Sequence, residues 1–272
     1  MTQGMLQKMY TVIDQPVQYH LSLGEQHIPL NGFLGRMIKL THSGRIECIH
    51  CHKVIKKTYS QGYCYPCFTS LAQCDLCILK PHTCHYANGS CREPSWGEQF
   101  CFQSHYVYLA NSSDLKVGIT RATQIPTRWI DQGASQALPI FKTSSRQIAG
   151  FIEEAISQHV SDKTNWQKLL KNHASAIDLP LKRDELIIAS QPALEDIFKR
   201  FGKQSIDYLQ HEKTVEISFP VTEYPSKIKS LCLIKTPEIS GVLQGIKGQY
   251  LILDSGVINI RKYTGYEVSF DT

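Results

Sequence analysis

Residues 105–120, HYVYLANSSDLKVGIT, read as two short apolar strands joined by a polar turn. Period-two alternation puts Val107 and Leu109 on one face of the first strand and Tyr106 and Tyr108 on the other. In the second strand Val117 and Ile119 form one set, and Lys116, Gly118 and Thr120 the other. If the apolar sets share a core, the two tyrosines, the lysine and the threonine emerge together. Gly118 then leaves a gap in that face, where a backbone or a phosphate can approach closely.

Downstream, the pattern becomes that of an α+β core. In SSRQIAGFIEEAISQHV (144–160), Ile148, Phe151, Ile152, Ala155 and Ile156 recur at helical spacing. DKTNWQKLLKNH (162–173) offers an N-cap at Asp162 or Thr164 ahead of Trp166, Leu169 and Leu170. QPALEDIFKRF (191–201) predicts a further helix, with Pro192 in its first turn and Gly202 as its stop. Beyond about residue 213, TVEISFPV, KIKSLCLI, GVLQGI, QYLILD and GVINI are short β-rich runs between turn residues, which suit a small barrel or sandwich. Residues 9–47 alternate weakly and carry turn signals, predicting several short strands.

Upstream of the hairpin lie nine of the ten cysteines, between Cys48 and Cys101. This segment is poor in apolar periodicity and needs a staple. The start of the chain, MTQGMLQKMYTVIDQ, lacks the organisation of a signal peptide, so a cytoplasmic location is expected. In that setting clustered cysteines read as metal ligands before disulfides. CIHC (Cys48, Cys51) and CYPC (Cys64, Cys67) are two knuckles able to bring four thiolates to one tetrahedral zinc. Cys74, Cys77, Cys84, Cys91 and Cys101 remain, with His82 and His85 in reserve. That is one thiol more than a second four-cysteine site takes. The preferred set is Cys74, Cys77, Cys84 and Cys91, with Cys101 able to replace either of the last two. Four thiolates also suit an iron–sulfur cluster, although paired knuckles favour zinc, and two structural zinc ions are expected.

No apolar run reaches the length of a membrane span. The net charge of +5 permits a polyanionic partner without requiring one. The segments divide as an N-terminal β-rich part (1–47), a zinc-binding module (48–104), an α/β core (105–205) and a small C-terminal β domain (206–272). The sequence leaves open whether the two terminal β parts join in one sheet.

Taken in order, Tyr106-Val107-Tyr108, Lys116-Val117-Gly118, Arg128, Glu153 and Asn165 resemble the GIY-YIG endonuclease superfamily over residues 105–170. The whole chain, with its cysteine block and RWIDQGA, also resembles an uncharacterised bacterial family, domain of unknown function 2797. The first resemblance implies a GIY-YIG-like small sheet with helices and a catalytic set. In it Tyr108 helps activate water, Arg128 binds the scissile phosphate, Glu153 holds a single Mg²⁺ and Asn165 braces the site. Tyr106 stands where that family has glycine and Lys116 where it has tyrosine, a position that some of its branches fill with lysine. Periodicity does not choose between Glu153 and Glu154; the family's spacing to Ile156 selects Glu153. The expectation is a protein that engages nucleic acid, DNA or RNA, and in its sharper form cleaves a phosphodiester. Binding without catalysis, through Lys116, Arg121 and Arg128, and a zinc-dependent protein-interaction scaffold are the rival expectations.

Overall fold

The structure, a computed structural model, describes residues 1–160, 166–171 and 175–272. It is an α+β protein with a cysteine-rich module between its β parts. Strands β1 (Thr2–Met5), β2 (Tyr10–Val12), β3 (Gln18–Leu23), β4 (Gln26–Pro29) and β5 (Met37–Ile46) come first. Helices α1 (Tyr65–Ser70), α2 (Leu76–Leu79) and α3 (Pro94–Cys101) punctuate the cysteine block. The core follows with β6 (His105–Asn111), β7 (Leu115–Arg121), α4 (Thr127–Asp131), β8 (Gln136–Thr143), α5 (Arg146–Ser157), α6 (Trp166–Leu170), α7 (Leu179–Ala189) and α8 (Gln191–Phe201). The chain closes with β9 (Ile206–Tyr208), β10 (Val215–Glu216), β11 (Glu238–Lys247), β12 (Tyr250–Leu253), β13 (Gly256–Asn259) and β14 (Tyr266–Asp271). Among the described residues, no helix is long and apolar enough to cross a membrane.

Both ends of the chain meet in one six-stranded sheet, ordered β1-β14-β5-β11-β12-β13. This resolves the question that the sequence left open. The hairpin lies in a five-stranded sheet, ordered β10-β8-β6-β7 with β9 on β8, and β2-β3-β4 make a third sheet. None of these sheets closes into a barrel.

The hairpin register sets Tyr106 opposite Thr120, Tyr108 opposite Gly118 and Ala110 opposite Lys116, so the polar set does share a face. That face, however, does not emerge into solvent at Tyr108. Tyr108 is 1% exposed and packs in a core with Trp129, Ala137 and apolar residues of the six-stranded sheet. Val107 and Leu109, on the opposite face, pack with Ile148, Ile152 and Ile156 of α5. The central sheet is thus covered on both sides, and tyrosine, with an apolar ring and a single polar tip, suits the second interface.

Helix α5 buries the predicted stripe of Ile148, Ile152, Ala155 and Ile156, and the Ser145 hydroxyl accepts from the Ile148 amide as its N-cap. Phe151 at the edge of the stripe packs on Phe201. α8 starts with Pro in its first turn and ends at Gly202, which has a φ of 79°. α7 gives no periodic signal in the sequence, because the charged run Lys182 to Glu185 interrupts its apolar residues; Asp178 caps it by accepting from the Leu181 amide. KIKSLCLI forms no strand and contributes only an isolated bridge, Ser230 to Val257.

Candidate functional site

Two features carry chemistry: the cysteine module, and a groove along the free edge of β7. Cys48, Cys51, Cys64 and Cys67 bring their sulfurs within 4.8 Å of one another, and Cys51 Sγ lies 3.7 Å from Cys64 Sγ. Tetrahedral zinc with bonds of about 2.3 Å to sulfur separates its thiolates by about 3.8 Å, so this set can hold zinc. The knuckle backbone prepares the charge. Burial works to raise the Cys48 thiol, but the backbone amides of Cys51, Cys64 and His50 outweigh it and hold the thiol at about 6. Burial and the three neighbouring thiols push Cys67 the other way, well up from its ordinary value. Gly62 has a φ of 129°, and a Cβ there would lie 2.8 Å from Ile49 Cγ2, so the second knuckle requires glycine at its approach.

The remaining cysteines group differently from the preferred reading. Cys74 packs beside Cys48, Cys64 and Cys67. Cys77, Cys84, Cys91 and Cys101 instead line a small apolar cavity of about 20 Å³. Asp75, Cys77 and His85 also bring ligand atoms within 4.8 Å of one another.

β7 is the edge strand of its sheet, so one row of its backbone groups is unpaired by any strand. A cavity of about 490 Å³ runs along that edge. Residues 117–121 form its floor, α5 supplies Arg146 and Glu153, and α4 supplies Arg128, with Gln132 at its C-terminal end. Ile78, Leu79 and Pro81 of the cysteine module wall one side, and Lys8 and Arg261 of the terminal β parts complete the rim. Five basic side chains (Lys8, Arg121, Arg128, Arg146, Arg261) face two acidic ones (Asp131, Glu153), a concentration of charge that the modest net value conceals.

Two neighbouring cavities extend this one. A space of about 370 Å³ shares Val117 and Glu153 with it and adds Lys116, His82 and Glu154. A larger space of about 720 Å³ shares Arg128 and Arg261 and reaches the first cysteine knuckles. His52, Ser60 and Gln61 line that end with φ of 58°, 43° and 64°, backbone conformations that side chains other than glycine seldom adopt.

The electrostatics are tense. Burial lowers the Arg261 pKa, Asp131 opposes that effect, and the nearby Arg128 charge adds to it. Lys8 Nζ pairs with Asp131 at 2.9 Å, and Gln249 Nε2 donates to the same carboxylate at 2.8 Å. Arg146 is likewise lowered by burial and by Arg121, and supported by the Cys101, Cys77 and Glu153 charges. Its Nη2 donates to the Ile78 carbonyl at 2.7 Å.

The predicted residues fall unevenly on this groove. Arg128 and Glu153, both half-buried, line the central cavity together, and Lys116 sits in its smaller extension. Glu154 is exposed, and a carboxylate oxygen lies 3.7 Å from His82 Nδ1. Tyr108 lies beneath the floor: its hydroxyl donates to Gln132 Oε1 at 2.8 Å, and a Cβ on Gly118 would fall 2.9 Å from that hydroxyl. The gap at Gly118 is therefore filled by the molecule's own tyrosine ring. Burial raises the Tyr108 pKa against the lowering influence of Arg128, which leaves the phenol protonated. Tyr106 is half-buried, sits opposite Thr120 and Lys142, and lines none of these three cavities. Asn165 lies outside the described residues, as do Asp162 and Thr164.

The sequence reading missed Lys8, Arg146, Arg261 and Gln132. No local signal marks Lys8 and Arg261, since they reach the groove only because the terminal strands share one sheet. Arg146 had a fainter signal: it opens α5 on a flank beside the apolar stripe.

Comparison with protein families finds a match to the family described as protein of unknown function (DUF2797), over residues 35–268. The chain belongs to that family. No curated protein and no solved structure matches it.

Proposed function

We propose that this member of the DUF2797 family grips the sugar–phosphate backbone of a nucleic acid in the groove along β7, and that the Glu153 end of the groove cleaves a phosphodiester in GIY-YIG fashion. The observation that carries the reading is the pair Arg128 and Arg261. Two guanidinium groups from distant parts of the chain face one cavity, close enough for one charge to disfavour the other. Holding like charges in a half-buried wall is costly, and a phosphate accepting from such forks offsets that cost. Three adjoining cavities suit an extended polymer better than a small ligand.

Glu153 is the carboxylate that would hold Mg²⁺. This ion takes one or two carboxylates and keeps several waters, which a half-buried Glu153 in an open cavity allows. When bound, the ion polarises a phosphoryl oxygen and makes a bound water more acidic. Arg128 orients the phosphate and meets its developing charge. Tyr108, buried and donating to Gln132, holds Gln132 and Arg128 in place from below the floor.

A reading without catalysis has one observation in its favour: the tyrosine that would serve as a base is occluded and protonated. One experiment separates the readings. Purified protein is offered a panel of labelled single- and double-stranded DNA and RNA, with and without Mg²⁺, across a salt series. Mg²⁺-dependent cleavage lost in Glu153→Gln supports the nuclease. Steeply salt-dependent binding, lost in Arg128→Ala but kept in Glu153→Gln with no cleavage, assigns binding alone. Absence of binding to every member of the panel overturns both, and lysate partners that survive nuclease treatment then favour the scaffold role.

A further inference from the structure

The segment from residue 75 to residue 104 poses a problem of stability. None of its residues belongs to any of the four apolar clusters of the described chain. It nevertheless forms two short helices and two 3₁₀ turns, and supplies the groove wall through Ile78, Leu79 and Pro81. A stretch that buries so little needs a covalent or metal staple.

We infer that Cys77, Cys84, Cys91 and Cys101 form a second four-thiolate zinc site, and that Cys74 stays outside it. Their side chains come from four separate local elements and line one cavity of about 20 Å³. That is about the space of a single small ion. The rest of the lining includes Ile78, Tyr86, Trp96 and Phe102, an apolar shell that would exclude water from the thiolates. Gly97 of α3 faces the site: a Cβ there would make ordinary contact, 3.5 Å from Cys91 Sγ and against the Tyr86 ring. Cys74 packs with the first knuckles instead.

The rival ligands, Asp75 and His85, have polar partners of their own, although Asp75 also lines this cavity. Arg92 Nε and His85 Nε2 lie 2.9 and 3.4 Å from the same Asp75 oxygen, and His85 Nδ1 lies 2.9 Å from Ser90 Oγ. The site also reaches the groove. Arg146 donates to the Ile78 carbonyl and Gln147 to the Cys84 carbonyl at 3.1 Å. A Cβ on Gly150 would fall 2.5 Å from Pro81, so α5 and the stapled segment touch along their backbones. The metal thus holds one wall of the groove against the helix that carries Glu153.

Zinc content of the full-length protein, measured by elemental analysis and native mass spectrometry, tests the assignment. Two zinc ions per chain are expected, falling to one in Cys84→Ser and in Cys101→Ser, and staying at two in Cys74→Ser and His85→Ala. A single zinc in the wild type overturns the site, as does loss of the second ion in Cys74→Ser with both kept in Cys101→Ser. Should the serine variants fail to fold, the wild type loaded with Co²⁺ decides. Absorption from two all-thiolate centres per chain supports the assignment, whereas one all-thiolate centre beside a mixed-ligand one overturns it. Iron with acid-labile sulfide in place of zinc overturns it as well.

Discussion

Strand β6, which backs the groove's floor strand β7, and the segment 75–104, which walls one side of the groove, are held in place by opposite means. In β6 every residue but Tyr106 is buried, and its two faces belong to two different apolar cores. The cysteine segment belongs to none, and leans on thiols and on a few hydrogen bonds to α5. Apolar burial couples β6 to the stability of the whole molecule. Ligation at the proposed second zinc site would give the wall a stability of its own, set by metal and pH instead of by area buried. A groove built this way can lose its wall while keeping its floor.

The largest effect that would break this comparison comes from metal removal. Structural zinc contributes roughly 10–16 kcal/mol of apparent free energy to small modules. Chelation is expected to erase amide-exchange protection over residues 48–104 while β6 and β8 stay protected. Simultaneous loss of protection in β6 would show that wall and floor form one cooperative unit.

Truncation of the apolar core behind the floor comes next. Leu109→Ala removes a fully buried side chain facing α5 and should cost about 2–5 kcal/mol in urea melts, with zinc content unchanged. Zinc lost in proportion would couple wall and floor after all.

Acid sharpens the contrast within the apolar core. His105 is fully buried at the start of β6, its Nδ1 2.8 Å from the Gln103 carbonyl. Burial lowers its pKa from 6.5 to about 4, with the Arg146 and Arg121 charges adding to that effect. The unfolded chain therefore binds this proton first. Stability present above pH 6.5 declines as pH falls toward 4, by roughly 3 kcal/mol in all, and then levels off. His105→Gln should flatten that slope relative to wild type. Equal slopes in the two proteins would mean that His105 does not carry the acid sensitivity.

The smallest effect concerns the floor of the groove. Gly118→Ala places a methyl 2.9 Å from both Tyr108 Cζ and its hydroxyl oxygen. Overpacking of this kind costs about 1–3 kcal/mol, read as a lowered Tm. Adding Tyr108→Phe should recover part of the loss by removing the oxygen. An unchanged Tm in Gly118→Ala would show that the floor yields more readily than the core to which Tyr108 belongs.

Much of this was legible from residues alone. The α5 stripe, the α8 boundaries and the first cysteine knuckles follow from periodicity and spacing, which are local properties of the chain. The hairpin register was legible for the same reason: alternation pairs Tyr108 with the face of Gly118 and Thr120. The burial of that face was not. Alternation tells which residues share a side and is silent about what covers it, and here the six-stranded sheet does.

Ligand grouping shows the same limit. Spacing identified nine cysteines as ligands but coupled Cys74 with Cys77, their neighbour in sequence. In space Cys74 packs with the first knuckles and Cys77 lines the second cavity.

Local pattern, then, determined the elements, the hairpin faces and the presence of a thiolate site. Tertiary structure alone decided that β7 is an edge strand, that Lys8 and Arg261 come from the two ends of the chain to stand beside Arg128, and that Tyr108 occupies the space under Gly118. The physical reason is one of range. Alternation, capping and ligand spacing act over a few residues, whereas a sheet joining β1 to β14 and a groove lined from four parts of the chain exist only once those parts have packed.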